Sequence, residues 1–567
     1  MKPIQPLSIK QLLQISFALF LSTSVPILTA ATIDLMPGNS FEDAVESLQA
    51  GDILIVHAGT YADEGRISIA APGTAGQPIV IKAADGEARP LITRTASDPA
   101  QNTINIEGSS YLTIKGLEIT GNGGDGVKFD VDPSDHVVLE DLLIHDIDTG
   151  INTKNDSNNL TIRNNEIYNT GVNGGTGEGM YIGCHDGSCA LSDSIIENNL
   201  IHDALPGTSQ GDGIEVKLNS QNIVIRDNVI YNMPFPGIFV YGGGEVNTVE
   251  GNVISKCLEG ISAISDAVVR NNILFNNETG LISFHHEVVP VLENTTFVNN
   301  TLFNNDTGAV LRWQDASNMI FANNAVYSPG KAAIDSNTAS QIVSSNLIVG
   351  SIADSSGDTT DDARFLAGRS AALDFRRAGN QDFWPTAQSP AIGNADDAYT
   401  PANDFNDATR QSPSDIGAYQ RSNQATNPGW AIGENFKSGS GSVTPPSSSS
   451  ADIDGNGNTD ALTDGLLIIR YLFGSTGDAL ISGAVANDAT RTSAADIEAL
   501  LLAQKDTNVF DIDGNGNTDA LTDGLLIIRY LFELRGDALI SGAVANDATR
   551  TSAADIEASI QAFLGSS

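Results

Sequence analysis

The phrase TIRNNEIYN at residues 161–169 returns as SIIENNLIHD at 194–203 and as VIRDNVIYN at 224–232. Two further versions, VVRNNILFNN and FVNNTLFNN, occupy residues 268–277 and 297–305. Each copy is typical of a short strand, an Asn-rich turn and a second strand, with few helix signals between copies. Strands that recur in this way indicate stacked coils. The pattern therefore predicts an all-β protein, a parallel β-helix.

A second phrase begins with glycine and marks another strand of each coil. Because side chains alternate along a strand, the mostly apolar residues one and three positions after the glycine should point inward, and those two and four positions after it should face solvent. The glycines are Gly126, Gly150, Gly179, Gly213, Gly237, Gly260, Gly280 and Gly308. The first predicted outward row is Lys128, Asn152, Tyr181, Glu215, Phe239 and Ser262, and the second is Asp130, Lys154, Gly183, Lys217, Tyr241 and Ile264.

Stacked coils place equivalent residues over one another at about 4.8 Å, so the sequence should contain columns. Asn pairs recur at one turn and predict a ladder of side-chain amides. A charged column and an aromatic column are expected on outer faces, and sugar binding is an alternative role for the aromatic one. The pairs begin at Asn164, Asn198, Asp227, Asn271, Asn299 and Asn323, the charged column is Glu140, Arg163, Glu197, Arg226, Glu250 and Arg270, and the aromatic column is His145, Tyr168, His202 and Tyr231.

The chain start and the composition indicate an exported protein. Lys2 and Lys10 precede an apolar run and then small residues, which predicts a signal peptide over residues 1–31. The 567 residues include 70 acidic and 29 basic ones, a formal net charge of −41. We therefore expect no nucleic-acid partner, and no later stretch has the roughly 20 apolar residues of a membrane span. Cys184 and Cys189 are close enough in sequence to form a disulfide after export, and Cys257 is expected to be buried.

The β-helix should extend over residues 32–434, with 33–60 and 389–419 closing its ends. GDILIVHAGTY, GTAGQPIVIKA and the closing DIGAYQ, together with the Asn-turn coils, resemble secreted right-handed parallel β-helix proteins that act on polysaccharides. The resemblance covers roughly residues 32–425, and it implies a fold shared by polysaccharide lyases, uronate epimerases and glycosidases. The fold does not choose among these activities.

A Ser/Gly/Pro-rich linker at 435–450 separates this region from a duplicated module at 451–567. DIDGNGNTDALTDGLLIIRYLF begins at Asp452 and again at Asp511, and alternating oxygen side chains with glycines before an amphipathic helix indicate Ca²⁺ loops. The module resembles EF-hands and, more closely, bacterial dockerin repeats, which implies a small helical unit that docks to a cohesin-like or cell-surface partner. The resemblance assigns Asp452, Asp454, Asn456, Asn458 and Asp460 in the first copy and Asp511, Asp513, Asn515, Asn517 and Asp519 in the second. The closing carboxylate lies one residue beyond the twelfth position, at Asp464 and Asp523.

Insertions at 171–178, 184–193 and 204–212 should wall a groove over Lys217, because insertions in solenoids collect on the binding face. An acidic chain needs local lysines or bound Ca²⁺ to hold an anionic polymer. The segment GIEVK resembles strands of β-helix lyases in which a lysine is the base. We expect Lys217 to be the base, with Glu215 beside it and Lys154 lowering its pKa. The proton donor is Tyr241, Tyr181 or His185, the further Ca²⁺ ligands are Glu178 and Asp212, and the substrate contacts are Lys128, Asp130, Asn152 and Phe239.

Several functions remain open from the sequence. The first hypothesis is Ca²⁺-assisted β-elimination on an acidic polysaccharide such as alginate or pectate. A uronate C5-epimerase would need similar groups, and a glycoside hydrolase would need two carboxylates flanking the bond. The fourth hypothesis is a noncatalytic carbohydrate-binding surface protein, in which Glu215 and Lys217 form an ordinary surface ion pair.

Overall fold

The computed structural model describes residues 30–63, 66–95, 101–121, 123–289, 291–337, 341–354, 365–421, 451–454, 459–486, 489, 491–506, 509–532 and 534–564. The predicted signal peptide, apart from its last two residues, and the predicted linker lie outside these ranges. The chain divides into two compact units, Met1–Ser440 and Gly441–Ser567.

The first unit is a stack of coils in which each coil contributes strands to parallel ladders, as predicted. A first ladder of 13 strands forms one sheet. Its strands are Thr32–Leu35, Ile53–Val56, Ile79–Ala83, Ser110–Lys115, Asp135–Glu140, Thr161–Arg163, Ser192–Glu197, Gln221–Arg226, Asn247–Glu250, Ala267–Arg270, Thr295–Val298, Ile320–Ala322 and Ile342–Ser344.

A second and a third ladder merge into one sheet of 23 strands, because the strand Ala325–Asn337 takes part in both. The second ladder contains Thr60–Asp63, Leu91–Arg94, Glu118–Ile119, Leu143–Ile147, Glu166–Thr170, Leu200–His202, Val229–Tyr231, Val253–Ser255, Ile273–Phe275, Thr301–Phe303, Ala325–Asn337, Asn346–Asp354 and Phe365–Ala367. The third ladder, which holds the Gly-led strands, contains Ile67–Ile69, Ile104–Ile106, Val127–Phe129, Ile151–Thr153, Met180–Ile182, Ile214–Val216, Ile238–Val240, Glu259–Ala263, Thr279–Ser283 and Thr307–Arg312.

The core runs along the axis of the stack and is built from inward-facing aliphatic and aromatic side chains. Ile214 and Val216, one and three residues after Gly213, are fully buried in it. The inward half of the predicted alternation is therefore confirmed. This alternation is the reason that the intervening side chains leave the core on the opposite face of each Gly-led strand.

The predicted asparagine ladder is present and has eight members. In each step one side-chain amide donates to the amide oxygen of the next coil at 2.9–3.1 Å. The residue before each ladder member in the Asn pairs has a positive φ, which Asn and Asp tolerate better than other non-glycine residues. The pair thus combines a left-handed turn with a ladder amide. The ladder members are Asn165, Asn199, Asn228, Asn252, Asn272, Asn300, Asn324 and Asn346.

The charged column is also confirmed. Its members pair in register from coil to coil, and three of its steps are ion pairs of 2.6–2.8 Å. Arg226, for example, binds Glu197 at 2.6 Å. Arg226 is therefore a structural residue of this face.

The aromatic column is a continuous stack of rings with centroids 4.8–5.3 Å apart. His202 also bonds two carboxylates, through Nδ1 to Asp203 at 2.7 Å and through Nε2 to Glu166 at 3.3 Å. The rings of Tyr168 and Tyr231 lie on either side of His202, so the faces of this histidine contact neighbouring rings. This column is a stacked outer row, as predicted.

Short segments complete the first unit. The helix Phe41–Glu46 begins after Ser40, whose hydroxyl accepts a hydrogen bond from the backbone of Asp43, and it buries Phe41 and Val45 as a cap should. We expected residues 389–419 to close the other end, but they pack along the outer side of the second ladder. The remaining elements here are the helix Ala371–Asp374, the antiparallel strands Phe375–Arg377 and Asp382–Pro385, and the 3₁₀ turns Val172–Gly174, Ala378–Asn380 and Asp397–Tyr399.

The second unit is helical, as predicted, and has its own apolar core. Its first copy contains the helices Asp464–Leu472, Asp478–Ile481 and Ala494–Asp506. Its second copy contains the π-helical turn Ala520–Gly524 and the helices Leu525–Leu531, Asp537–Ile540 and Ala553–Leu564. Among the described residues, no helix of either unit is long and apolar enough to cross a membrane.

Candidate active site

The Gly-led strands carry rows of side chains on their outer face. Their register pairs Asn152 with Tyr181, Tyr181 with Glu215, and Glu215 with Phe239. These pairings confirm that residues two positions after successive glycines stack over one another. The coil that contains Glu215 therefore has Tyr181 on one side and Phe239 on the other.

A further row consists of the residue immediately before each glycine. The backbone N–H of Gly150 donates to the carbonyl of Glu178, and the N–H of Gly179 donates to that of Asp212. Glu178 and Asp212 therefore lie in neighbouring coils, and Glu215 lies in the strand Ile214–Val216, which begins two residues after Asp212. A single strand register thus brings three acidic side chains to one place.

Lys217 is buried on this outer face, with 1 % of its side chain exposed. Its Nζ donates to Oε1 of Glu215 and lies 3.5 Å from Oη of Tyr241. The Tyr241 hydroxyl in turn donates to the same Glu215 oxygen at 3.1 Å. Nζ also lies 4.5 Å from the centre of the Tyr181 ring. Lysine, glutamate and tyrosine therefore form one buried hydrogen-bonded group.

The prediction that the two outward rows of the Gly-led strands face solvent is wrong for the coils around Lys217. A loop that follows the strand Thr279–Ser283, two coils beyond Gly237, folds back over them. Its His286 ring lies 4.8 Å from the ring of Tyr241 and 5.8 Å from that of Phe239. As a result Tyr241 and Phe239 are buried, although they point away from the core of the stack.

A second loop reaches the same place from the other side. It is closed by the predicted disulfide between Cys184 and Cys189, whose Cα atoms are 5.0 Å apart. Gly183 opens the loop with a φ of +86°, and a Cβ there would lie 2.5 Å from Oγ of Ser220. His185 of this loop is partly exposed, and its ring contacts the edge of Tyr241 at 5.9 Å. It therefore lies at the rim of the site.

Three buried carboxylates converge beside Lys217. Glu178, Asp212 and Glu215 each place an oxygen within 4.8 Å of the other two, and none is more than 3 % exposed. Each also has one buried oxygen without a hydrogen-bond partner in the part of the chain that the structure describes. Burial, and then the charges of Glu215 and Glu178, raise the pKa of Asp212 well above its usual range. Unpartnered buried oxygens around one point are the ligands that Ca²⁺ prefers, so these residues fit that ion.

Tyr181 lies between two lysines of neighbouring coils. The Nζ of Lys154 is 3.5 Å from the centre of its ring, on the side away from the coil of Lys217. Burial and then the nearby Glu215 charge raise the pKa of Tyr181, so its hydroxyl is protonated at neutral pH. The backbone of His185 opposes the rise in the pKa of Tyr181.

The remaining predicted substrate contacts lie toward the N-terminal coils. Lys128 forms an ion pair with Asp130 at 3.2 Å. The amide of the buried Asn152 donates to Asp125 at 3.0 Å. Burial raises the pKa of Asp125 to about 6, and the charge of Lys128 opposes this rise.

Sequence reasoning missed some residues of this region. Asp125 belongs to the row before the glycines, which also contains Glu178, Asp212 and Glu259, and this row is visible in the repeat. Phe284 and His286 follow the Gly280 phrase in the letters GLISFHH. Their position over other coils carries no periodic signal.

A protein-family model described as "Pel9A-like, right handed beta helix region" matches residues 20–318. The chain belongs to this family. Membership confirms the β-helix that the repeats predicted and the right-handedness that the resemblance implied, and the Pel9A-like region includes the coils of Lys217 and the three carboxylates. No curated protein matched the sequence.

Several solved structures are similar to this Pel9A-like chain. An alginate lyase from Paenibacillus sp. str. FPU-7 is 19 % identical with a TM-score of 0.40, and the match covers 54 % of this chain and 99 % of that one. Pectate lyase Pel9A is 17 % identical with a TM-score of 0.42, over 70 % of this chain and 98 % of that one. XylC, in a complex with xylose, is 11 % identical with a TM-score of 0.49, over 69 % and 98 %.

Outside the Pel9A-like region, each copy of the C-terminal module brings three aspartates together. In the first copy they are Asp452, Asp454 and Asp464, with one oxygen of each within 4.8 Å of the others. Oδ1 of Asp464 accepts hydrogen bonds from the backbone of Ile453 at 2.6 Å and of Asp454 at 3.2 Å. The loop therefore closes on the thirteenth position. The corresponding aspartates of the second copy are Asp511, Asp513 and Asp523.

Other predicted ligands of these loops are placed differently. Asp460 and Asp519 are exposed, and the backbone N–H of each donates to the closing aspartate of its loop. The side-chain amide of Asn515 donates to Asp547 at 3.1 Å, and Asn517 is exposed. These four carboxylates and amides are not part of the three-aspartate groups. The predicted ligands Asn456 and Asn458 lie outside the described residues.

Proposed function

We propose that this chain is a secreted polysaccharide lyase that cleaves a uronate-containing polysaccharide, such as alginate or pectate, by β-elimination. The observation that carries the proposal is the placement of buried Lys217 beside the converging carboxylates of Glu178, Asp212 and Glu215. Burying one cation with three carboxylates costs folding free energy. Such an arrangement is typical of a functional site and is unlike the surface ion pair that the sequence left open.

The contacts of Lys217 and Tyr181 support their assignment as base and acid. In its neutral form, Lys217 takes the C5 proton of the uronate, the C5–H electrons form the C4–C5 double bond, and the C4–O4 bond breaks. Tyr181 gives its proton to the departing O4. The backbone of His185 favours the phenolate that forms, because it lowers the pKa of Tyr181 against the effect of burial. The hydroxyl of Tyr241 donates to Glu215 and is a positioning group, and His185 lies at the rim.

Glu178, Asp212 and Glu215 are the residues that would hold Ca²⁺. When bound there, Ca²⁺ would neutralise the substrate carboxylate and make the neighbouring C5 proton more acidic. The three unpartnered carboxylate oxygens support this assignment. The same three groups converge on one point, whereas glycosidases need two carboxyl groups that face each other across the bond.

Substrate entry requires movement of the cover over Lys217. The loop of Phe284 and His286 touches the site through ring contacts, and its Glu287 lies 3.9 Å from Nε2 of His185. The opposing loop is held by a disulfide and a tightly packed glycine. We infer that the loop with His286 is the part that is displaced when a sugar chain binds.

The proposed enzyme is exported and is held at its site of action by the C-terminal module. The signal-like N-terminus and the Cys184–Cys189 disulfide support export. The two three-aspartate groups support Ca²⁺ loops in the C-terminal module. We infer that this module docks the enzyme to a cohesin-like or cell-surface partner.

The test compares the full chain with its Lys217→Ala variant on a panel of uronate polymers, with and without a chelator. We expect the ultraviolet absorbance of an unsaturated product, a rate loss of about a thousandfold in the variant, and loss of activity in chelator. Lys331→Ala is the control, since Lys331 pairs with exposed Asp306 away from the site. The proposal fails if no polymer yields the product, or if Lys217→Ala matches the control.

A further inference from the structure

Lys154 has an unusual environment for a cation in this acidic chain. Its ammonium lies 3.5 Å from the centre of the Tyr181 ring. Within the ranges that the structure describes, no carboxylate lies within ion-pair distance of it. The two other lysines of the outward rows of the Gly-led strands are paired, Lys128 with Asp130 at 3.2 Å and Lys217 with Glu215. Among these three lysines, Lys154 is therefore the one that is open to an external anion.

The surroundings of Lys154 are also asymmetric along the stack. On its N-terminal side, the Lys128–Asp130 pair neutralises itself. On the far side of Lys217, the positions equivalent to Lys154 are occupied by Tyr241 and the apolar Ile264. Cationic attraction for an anionic chain therefore extends from Lys217 toward the N-terminal coils only.

Lys154 and Lys217 stand two coils apart, which corresponds to roughly 10 Å between their strands. The carboxylate of the sugar attacked by Lys217 is assigned to the group of Glu178, Asp212 and Glu215. An anion bound at Lys154 must therefore belong to a different sugar of the same chain. A half-buried ammonium is costly to leave without a partner, and burial, followed by the charge of Lys217, lowers the pKa of Lys154.

We propose that Lys154 binds the carboxylate of the uronate next to the one that Lys217 attacks, and so selects chains with consecutive uronates. Lys154 then determines specificity, in place of the role in lowering the pKa of Lys217 that the sequence suggested. The identity of the sugar rests on the lyase function proposed above. The existence of an anion site at Lys154 rests on its own contacts.

The experiment measures binding separately from turnover. Calorimetry on the full-length protein compares a saturated oligouronate with the same oligosaccharide after chemical reduction of its carboxylates. For Lys154→Gln we expect the affinity for the oligouronate to fall about tenfold or more, and the preference over the reduced form to shrink. Lys154→Arg should restore part of both. Lys331→Gln, which removes the same charge from the Asp306 pair, should change neither.

The inference is overturned if Lys154→Gln melts like the wild type and keeps both its affinity and its preference. The inference is also overturned if Lys154→Arg binds the oligouronate more weakly than Lys154→Gln does. Turnover identifies which proposal has failed. If the wild type eliminates uronates and Lys154→Gln binds them normally, the role of Lys154 is wrong and the lyase stands. If no uronate is eliminated but Lys154→Gln loses binding, the anion site stands and the lyase is wrong.

Discussion

Replacement of Asn228 by alanine tests the asparagine ladder at its centre. The Asn228 amide donates to Oδ1 of Asn252 and to the carbonyl of Ile196, both at 3.0 Å. Its oxygen accepts from the side chain and the backbone of Asn199, both at 2.9 Å. Asn228 is fully buried, and alanine removes all four of these hydrogen bonds, although Oδ1 of Asn252 keeps the backbone N–H of residue 228 and the Asn199 amide keeps the carbonyl of Ile162. At about 1 kcal/mol for each lost bond, the free energy of unfolding should fall by about 4 kcal/mol.

Urea unfolding followed by far-ultraviolet circular dichroism measures this loss for the first unit. Asn39→Ala is the matched control, because Asn39 is exposed and donates one hydrogen bond to the carbonyl of Met36 at 3.1 Å. The control should change the free energy of unfolding by less than about 0.5 kcal/mol. If Asn228→Ala loses less than about 1 kcal/mol, the ladder does not hold neighbouring coils together and the reasoning is refuted.

Three further predictions concern charge. Asp212→Asn removes repulsion among buried carboxylates, so the melting temperature of this variant in chelator should exceed that of the wild type, as calorimetry can measure. Its Ca²⁺-dependent activity should fall at least tenfold in rate assays. Burial lowers the pKa of His202, but its two carboxylate partners outweigh this effect and raise the pKa. The stabilising contribution of His202 should therefore be complete below about pH 6.5, and it should disappear as the pH rises through the folded-state pKa. His202→Phe should therefore flatten the dependence of the unfolding free energy on pH, and an unchanged slope would contradict this. Asp464→Asn and Asp523→Asn should each lower the Ca²⁺ stoichiometry of the chain by one in titration calorimetry, and an unchanged stoichiometry would show that these aspartates do not close the loops.

The columns of equivalent residues in successive coils were the most predictable feature of this protein. The pairing of Glu197 with Arg226 and the ladder through Asn228 could be derived because coils stack in register, so one position repeats in contact with its equivalents. The disulfide between Cys184 and Cys189 is similarly local. These features depend on residues that are close along the chain or that recur at a regular spacing, and both are visible in the amino-acid sequence.

The exposure of Lys217 was not predictable in the same way. Alternation correctly directs its side chain away from the core, yet the loop with His286 comes from three coils further along the chain and covers the site. The insertions were expected to wall a groove, and in the structure the cover also includes this unanticipated loop. Glu178 and Asp212 were candidate ligands from sequence, but only the structure shows that their carboxylates converge with that of Glu215.

The sequence by itself determined the stacked coils, their columns and the outward placement of Lys217, because parallel in-register strands translate a periodic sequence into periodic contacts. Only the tertiary structure decided that Lys217 is buried, that three carboxylates share one point beside it, and that no carboxylate of the described residues lies within ion-pair distance of Lys154. These properties arise where non-repeating loops meet side chains from several coils. Burial and electrostatics depend on everything that surrounds a group, and that environment has no period that a sequence could reveal.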